Sequence, residues 1–435
     1  MNTLAINVRL LLSATVLTGL SACSQIGGSE PQPTATTAEN AQPSAQVEAL
    51  DAIEKAREPV DNAPSATLST IEKISYPPLA SLGPVPDPKD NPMTPDKVAL
   101  GKVLFFDGRL GGDTSTPCSA CHLPSTGWDF PGQISLGYPG TVHWRNSQTI
   151  VNSAYYSKLF WAGSSKSLES QAKSAATGAV AGNGEGDLME ARLSLVPEYR
   201  EQFKKIFGDE WPKVGNAWNA IAAFERTLVQ RDTPLDRYLQ GDKKALSAEQ
   251  LRGKTLFEGK ANCIACHNGA LASDEQYYNV GVPIQPRWRN DPLAQITFRY
   301  ELYAKGSTEE KYRHTKADPG VYFRGKMNSM KGKFRTPSLR YTKYTAPYMH
   351  NGTLATLTDV INFYDQGGFT NDGQTTGFPK TKSPLIKSLG LSKQEKQDLL
   401  AFLEAFSGER ITMDAPELPS YKPLFTEQEL LEAKR

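Results

Sequence analysis

Cysteine is scarce in this 435-residue chain: Cys23, Cys118, Cys121, Cys263 and Cys266 are all there is. Four of them form two close pairs and one stands alone near the N-terminus, a pattern that argues against a disulfide scaffold. Histidine is equally scarce, five residues, and two of them directly follow a cysteine pair. Charge of one sign is missing as well. The 48 basic and 47 acidic side chains leave a formal charge of +1, so there is no basic excess to neutralise phosphates and no nucleic-acid partner is expected. Aromatic residues are absent before Tyr76, and alternating strand patterns are few. Long apolar runs are lacking too: Leu10 to Leu20 is mostly apolar but too short to span a bilayer comfortably.

That short apolar run follows Arg9 and ends in Leu20-Ser21-Ala22-Cys23, the form of a bacterial lipobox. The expectation is a lipoprotein signal peptide over 1–22, with a lipidated Cys23 as the first mature residue; an ordinary secretory signal is the alternative. Either way the chain is exported to the periplasm. Ser24 after the cysteine slightly favours the outer membrane. From Ser24 to Thr70 the sequence is rich in Ala, Pro, Ser, Thr, Gln and Glu, without aromatic, Cys or His residues. It cannot bury a core and reads as a disordered tether over 23–75, about 40 Å long as a random coil. Residues 47–57 have the pattern of a short amphipathic helix.

Beyond Tyr76 the chain reads as all-α, helices joined by long loops, in keeping with 35 glycines and 30 prolines. Thr94-Pro95-Asp96 caps a helix expected through Leu104. Val214, Trp218, Ile221, Ala222, Leu228 and Val229 share a helical face on which Glu225 is the polar exception. Leu399, Leu400, Leu403 and Phe406 mark another helix. The stretch 232–247 looks like a boundary, which gives two units over 76–240 and 241–435, each with one cysteine pair.

Those pairs are Cys118-Ser119-Ala120-Cys121-His122 and Cys263-Ile264-Ala265-Cys266-His267. Two thiols at this spacing can add to both vinyl groups of one haem, and the adjacent imidazole then faces the iron as proximal ligand. A zinc site or a redox dithiol is the rival. Neither requires a histidine after both pairs, and export suits haem c.

Further segments carry a resemblance. They are Leu100-Gly101-Lys102-Val103-Leu104-Phe105-Phe106-Asp107, Arg145-Asn146-Ser147, Phe160-Trp161, Ala223-Phe224-Glu225-Arg226-Thr227-Leu228, Phe334-Arg335-Thr336-Pro337-Ser338-Leu339-Arg340, Ala346-Pro347-Tyr348-Met349-His350-Asn351-Gly352 and Phe363-Tyr364-Asp365-Gln366-Gly367-Gly368. As an ordered set from about Tyr76 to Pro419, they resemble the bacterial di-haem cytochrome c peroxidase family, in its MauG-like branch.

The resemblance implies two cytochrome c-like domains carrying two covalent haem c groups. The N-terminal haem, held by Cys118 and Cys121 with His122 as its ligand, is the peroxide-binding one. The C-terminal haem, held by Cys263 and Cys266, is six-coordinate with His267 and a second ligand fourteen residues past His350, which is Tyr364. Independently of the family, Thr356-Leu357-Thr358-Asp359 has the form of a capping box, and Leu357, Val360, Ile361 and Tyr364 then share an inward helical face. Met327, Met330 and Met349 are the alternative ligands. A phenolate favours higher oxidation states of iron, where a thioether would raise the potential.

The resemblance also places Trp161 between the haems as an electron relay, Gln171 in the peroxide pocket, and a calcium ion on Asn146, Thr345 and Pro347. It departs from the family at three points. Position 181 is Ala where a pocket glutamate is expected, leaving Glu185 or Glu190 as the acid–base candidate. Tyr138 replaces the histidine that closes the resting peroxide haem in some members, with His143 nearby. Ala261 replaces a tryptophan that MauG uses toward its protein substrate. The expected function is a peroxidase that reduces hydrogen peroxide with electrons from a periplasmic donor. A peroxide-driven enzyme acting on side chains of a partner protein, and a plain di-haem electron carrier, are the alternatives.

Overall fold

The computed structural model describes residues 75–138, 140–369, 377–421 and 431–432. The signal sequence, Cys23, the 47–57 helix and nearly all of the tether lie outside the described residues.

The first helix, α1 (Pro95–Phe106), starts where its cap predicts, with the Thr94 hydroxyl accepting from Lys97 N–H at 3.3 Å, and runs two residues past Leu104. It is followed by α2 (Leu168–Thr177), α3 (Gly186–Ser194), α4 (Pro197–Phe207) and α5 (Val214–Glu225). The sequence face of α5 was expected to continue to Val229, but the helix ends at Glu225. The Thr227 hydroxyl donates to Phe224 O at 2.7 Å, and Asn152 Oδ1 accepts from Gln230 N–H at 2.8 Å. These bonds satisfy the end of the helix through a turn, and Leu228 stays buried without being helical.

The second half carries α6 (Pro234–Leu239), α7 (Ala248–Glu258), α8 (Arg287–Asn290), α9 (Pro292–Ala304), α10 (Glu309–His314), α11 (Tyr322–Gly325), α12 (Leu357–Asp365) and α13 (Lys393–Glu404). Reciprocal capping boxes open α6, α7, α12 and α13, from Thr233, Ser247, Thr356 and Ser392. Regular sheet among the described residues is one short antiparallel pair, Tyr277–Tyr278 against Phe334–Arg335.

Two helix crossings organise the packing: α1 on α5, and α7 on α13. Each needs a glycine. A Cβ on Gly101 would lie 1.9 Å from Ala220 O, and one on Gly253 would lie 2.0 Å from Asp398 O. Both glycines begin the same sequence, Gly-Lys-x-Leu-Phe, at 101–105 and 253–257. Around the first crossing lies a core of Leu100, Leu104, Phe105, Trp128, Tyr199, Phe203, Ile221 and Phe224. Around the second lies another, with Phe257, Leu399, Phe402 and Phe406 at its centre. Each such buried side chain contributes about 1.5–3 kcal/mol of transfer free energy.

The two cores exchange segments. Leu79 packs in the second core although it precedes α1, while Tyr341, Ile411 and Met413 join the first. Trp128 Nε1 donates to Ile411 O at 2.9 Å. Leu235 and Leu246, inside the 232–247 stretch, both belong to the second core. Among the described residues no helix is long and apolar enough to cross a membrane.

Candidate functional site

Both cysteine pairs open onto one large cavity of about 620 Å³. They are built alike. In each, a single 3₁₀ turn carries the first three residues, Cys118–Ala120 and Cys263–Ala265. His122 N–H donates to Cys118 O at 3.1 Å, and His267 N–H to Cys263 O at 2.9 Å. A backbone carbonyl then meets each imidazole: Trp128 O lies 3.2 Å from His122 Nδ1, and Ala272 O lies 3.1 Å from His267 Nδ1. Trp128 and Ala272 both adopt left-handed backbone, φ 61° and 49°. With Nδ1–H donating to a carbonyl, each ring is neutral and Nε2 carries the free lone pair a metal needs. Burial holds His122 at about 4 and pushes His267 down as well, so both stay uncharged at neutral pH.

All four cysteines are free thiols. Burial pushes Cys118 and Cys263 up to about 12 and Cys266 up to about 11, and raises Cys121. A reactive dithiol needs a depressed pKa and an electropositive setting, so the redox reading does not fit. Zinc fits no better, since among the described residues no three His, Cys, Asp or Glu side chains are grouped to hold a metal. The donor set does fit two covalent haems: free thiol pairs, neutral histidines and largely apolar walls that include Leu110, Ile150, Val151, Leu168 and Val180.

The other sequence-derived residues divide. Trp161, Gln171, Asn146, Thr345, Pro347, Met349, His350 and Tyr364 all line the cavity. Tyr364 sits in the last turn of α12, whose capping box forms as the sequence predicts. Burial, together with the neighbouring Cys266 and Cys263, pushes its phenol well above the usual range. The chain thus brings Tyr364 to the second motif. Met327 is 56 % exposed, and neither it nor Met330 reaches the cavity wall.

Trp161 Nε1 donates to Asn146 O at 2.8 Å, and its ring meets His350 edge-on at 6.4 Å. Asn146 N–H in turn donates to His350 O at 2.8 Å, which ties the Arg145-Asn146 segment to the loop holding Thr345 and Pro347. Arg145 makes a buried two-point pair with Asp318, at 2.5 and 2.8 Å. His143 stacks on Trp144 at 4.1 Å and accepts from Arg145 N–H at 3.2 Å; it lines the cavity, whereas the Tyr138 ring does not. Ala261 also lines the cavity.

Glu185 is misplaced as an acid–base group. It is exposed, caps α3 by accepting from Leu188 N–H at 3.0 Å, and does not line the cavity. Glu190 fails for the same reason: it accepts from Trp211 Nε1 and Val214 N–H, at 2.8 and 2.9 Å. The carboxyls that do reach the cavity are Asp129, Glu225, Glu301 and Asp318. The sequence held one signal for them, the polar interruption of the α5 face at Glu225.

A mostly helical fold with two matched Cys-x-x-Cys-His turns on one cavity defines a di-haem c-type protein. The chain belongs to the di-haem cytochrome c peroxidase family, whose model matches residues 95–244, and is an oxidoreductase of the cytochrome-c peroxidase type. It is 59% identical over 356 residues to the cytochrome-c peroxidase IdrP1 of Denitromonas iodatirespirans, covering 81% of this chain and 93% of that one. It is 36% identical to the methylamine utilization protein MauG of Methylorubrum extorquens, over 77% of this chain and 85% of that one. Among solved structures it is similar to a MauG-like protein associated with microbial copper homeostasis, with a TM-score of 0.63 and 29% identity over 78% of this chain and 96% of that one.

Proposed function

We propose that this protein reduces hydrogen peroxide to water on the His122 side of the cavity. Electrons reach that side from the His267 side through Trp161, and a periplasmic redox protein is the donor. The observation that carries the reading is the cavity shared by two identically built Cys-x-x-Cys-His turns, with Trp161 on its wall. The repeated Gly-Lys-x-Leu-Phe crossings and the two cores support two cytochrome c-like lobes, for which the sequence offers 76–240 and 241–435 as bounds.

Cys118 and Cys121 would hold one haem with His122 as ligand, and Cys263 and Cys266 the other with His267 and Tyr364. The bound haems supply the redox chemistry of a two-electron reduction. The chain's own residues do the rest. The Trp128 and Ala272 carbonyls orient the two imidazoles. Gln171 presents an amide donor and acceptor to the peroxide pocket. Trp161 is held rigid by its bond to Asn146 O, and Asn146 Oδ1 with the Thr345 and Pro347 carbonyls offers the hard oxygen donors that suit calcium.

The test is a haem count followed by turnover. After acid–acetone extraction the denatured chain is expected to keep its colour and to gain the mass of two haems, and the native protein to oxidise a reduced c-type cytochrome when hydrogen peroxide is added. One haem, or bound zinc, overturns the reading. Tyr364 favours a second reading, in which peroxide drives oxidation of side chains on a partner protein, as a phenolate ligand suits storage of oxidising equivalents. Oxidised residues on a co-purified partner, without turnover of any cytochrome, would select it.

The lipobox completes the proposal: Cys23 is lipidated, the signal peptide 1–22 is removed, and the tether holds the enzyme at the periplasmic face of a membrane, the outer one by preference. Replacing Cys23 by Ser is expected to release the protein into the soluble periplasmic fraction. Membrane association unchanged by that substitution would point to an ordinary cleaved signal.

A further inference from the structure

Peroxide reduction needs a group that moves a proton from one peroxide oxygen to the other, and with Glu185 and Glu190 committed elsewhere that group has no assigned residue. The inference that follows rests on the peroxidase reading. Of the four carboxyls on the cavity wall, two are spoken for: Asp318 by Arg145, and Glu301 by Lys305 at 3.2 Å. Asp129 and Glu225 are left.

Asp129 is buried, and neither of its carboxylate oxygens has a hydrogen-bond partner. It directly follows Trp128, whose carbonyl orients His122, and pairs with Leu123 in the turn after the motif. That places it with the backbone holding the ligand imidazole, the side turned away from peroxide.

Glu225 is placed otherwise. It ends α5, is 3 % exposed, and its Oε2 has no partner. α5 packs on α2, the helix that carries Gln171. The charged and titratable groups facing Glu225 are Arg226 on its own element, Glu169 from α2 and Cys118 from the first motif. Arg226 is already engaged, donating from Nη2 to Glu169 at 2.8 Å, and Lys97 from α1 faces that same pair. Glu225 therefore has an arginine near it without a hydrogen bond to it. Burial dominates and pushes its carboxyl up to about 8, with Arg226 pulling down and Glu169 pushing up. Three more buried polar atoms stand without partners in the adjoining segments: Arg226 Nη1, Ser153 Oγ and Asn152 Nδ2. Asn152 is strapped there by its N–H to Leu228 O at 2.8 Å. Ser153, Gln171 and Glu225 all line the cavity. Orphaned buried polar groups are costly and few in folded proteins, so an unpartnered Glu225 oxygen on the cavity wall calls for a partner that the folded chain itself does not supply.

We propose that Glu225 is the acid–base residue for hydrogen peroxide in this chain, filling the role left open by Ala181. Per peroxide, one proton leaves the oxygen that stays bound, passes through the Glu225 carboxylate and reaches the oxygen that departs. The O–O bond breaks and its electron pair leaves with that oxygen as water. The two electrons and two further protons that complete reduction to a second water come from the peroxidase's electron donor and from solvent.

The test uses the haem-loaded protein and the variants Glu225→Gln and Asp129→Asn. Burial pushes Asp129 up to about 8 as well, so at neutral pH the infrared carbonyl stretches of two buried protonated carboxylic acids are expected in the wild type; Glu225→Gln is expected to lose one of them and Asp129→Asn the other. The rate constant for the reaction with peroxide is expected to rise with pH toward a plateau in the wild type, because the proton-accepting form is the ionised one. Glu225→Gln is expected to lose that dependence and about 100-fold or more in rate, with both haems retained. Asp129→Asn is expected to keep the wild-type pH profile. An unchanged rate and profile in Glu225→Gln, or their loss in Asp129→Asn instead, overturns the assignment while leaving the peroxidase reading standing. A wild type that carries two haems yet is inert to peroxide overturns both. If Glu225→Gln does not fold, Glu225→Asp decides: it keeps a carboxyl, so a pH-dependent rate is expected and a flat profile rejects the role.

Discussion

Replacing Tyr364 by Phe is expected to leave the fold intact and to change the absorption spectrum of the haem that Cys263 and Cys266 are proposed to hold. The ring, its place in the last turn of α12 and the Thr356 capping box all survive the substitution; only the phenolic oxygen is lost. Stability should therefore move by no more than about 1 kcal/mol. In the wild type the burial that raises the phenol's pKa, with two thiol side chains beside it, means the oxygen loses its proton to solvent only when a cation binds in its place. Binding iron there should release a proton and leave a hard anionic ligand. The variant should lose the six-coordinate signature of that haem in electron paramagnetic resonance and visible absorption, while the His122 haem keeps its own. Tyr364→Met should raise the potential of the same haem and strengthen dependence on an electron donor. Identical ferric spectra for wild type and Tyr364→Phe would make Tyr364 a packing residue and return Met349, which also lines the cavity, as the ligand.

The second large effect is one of stability. Arg340 and Asp236 form an ion pair whose side chains are 1% and 0% exposed. The guanidinium uses every nitrogen. Nη1 and Nη2 donate to Asp236 at 3.0 and 2.9 Å, Nε donates to Ala270 O at 2.6 Å, and Nη2 also donates to Ala80 O at 2.9 Å. Asp236 Oδ2 further accepts from the Thr233 hydroxyl at 2.7 Å and from Thr233 N–H at 3.2 Å, the latter closing the α6 capping box. One side chain thus joins the segment before α1, the loop after the second motif and α6. Arg340→Met removes the cation and leaves Asp236 buried and uncompensated, at an expected cost of about 3–5 kcal/mol. Arg340→Met combined with Asp236→Asn should recover part of that loss, because no bare charge remains. Thermal unfolding of both variants, each checked for two haems, reads the difference. Additive losses would mean that the two residues do not act as a pair.

Local chemistry is where the sequence by itself was decisive. Two Cys-x-x-Cys-His motifs offer the proposed anchors and proximal ligands because the spacing that suits one haem is written within five consecutive residues. Thr94-Pro95 and Thr356-x-x-Asp359 place two helix starts, since a cap is a contact among neighbours in the chain. Tyr364 was expected from the family resemblance, and helical periodicity counted from that second cap agrees with an inward place for it. The Gly-Lys-x-Leu-Phe repeat was equally there to be seen, but it becomes meaningful only when Gly101 and Gly253 are found pressed against Ala220 O and Asp398 O.

Tertiary structure decided what depends on distant segments meeting. Sequence proximity suggested Glu185 as the acid–base group, and the fold spends it on a helix cap, because a carboxylate at the start of a helix meets free N–H groups before it meets anything else. Glu225 had only the look of a flaw in an apolar stripe. It became a candidate when α2 and the first motif closed around it and left its Oε2 without a partner. Packing across the two halves is likewise a matter of distant segments meeting. Leu79 and Tyr341 each pack in the core of the other half, and Arg340 binds three segments far apart in the chain. A cavity, a buried unpaired carboxyl and a crossed-over segment are properties of burial, and burial is a sum over the whole folded chain that no local pattern of residues contains.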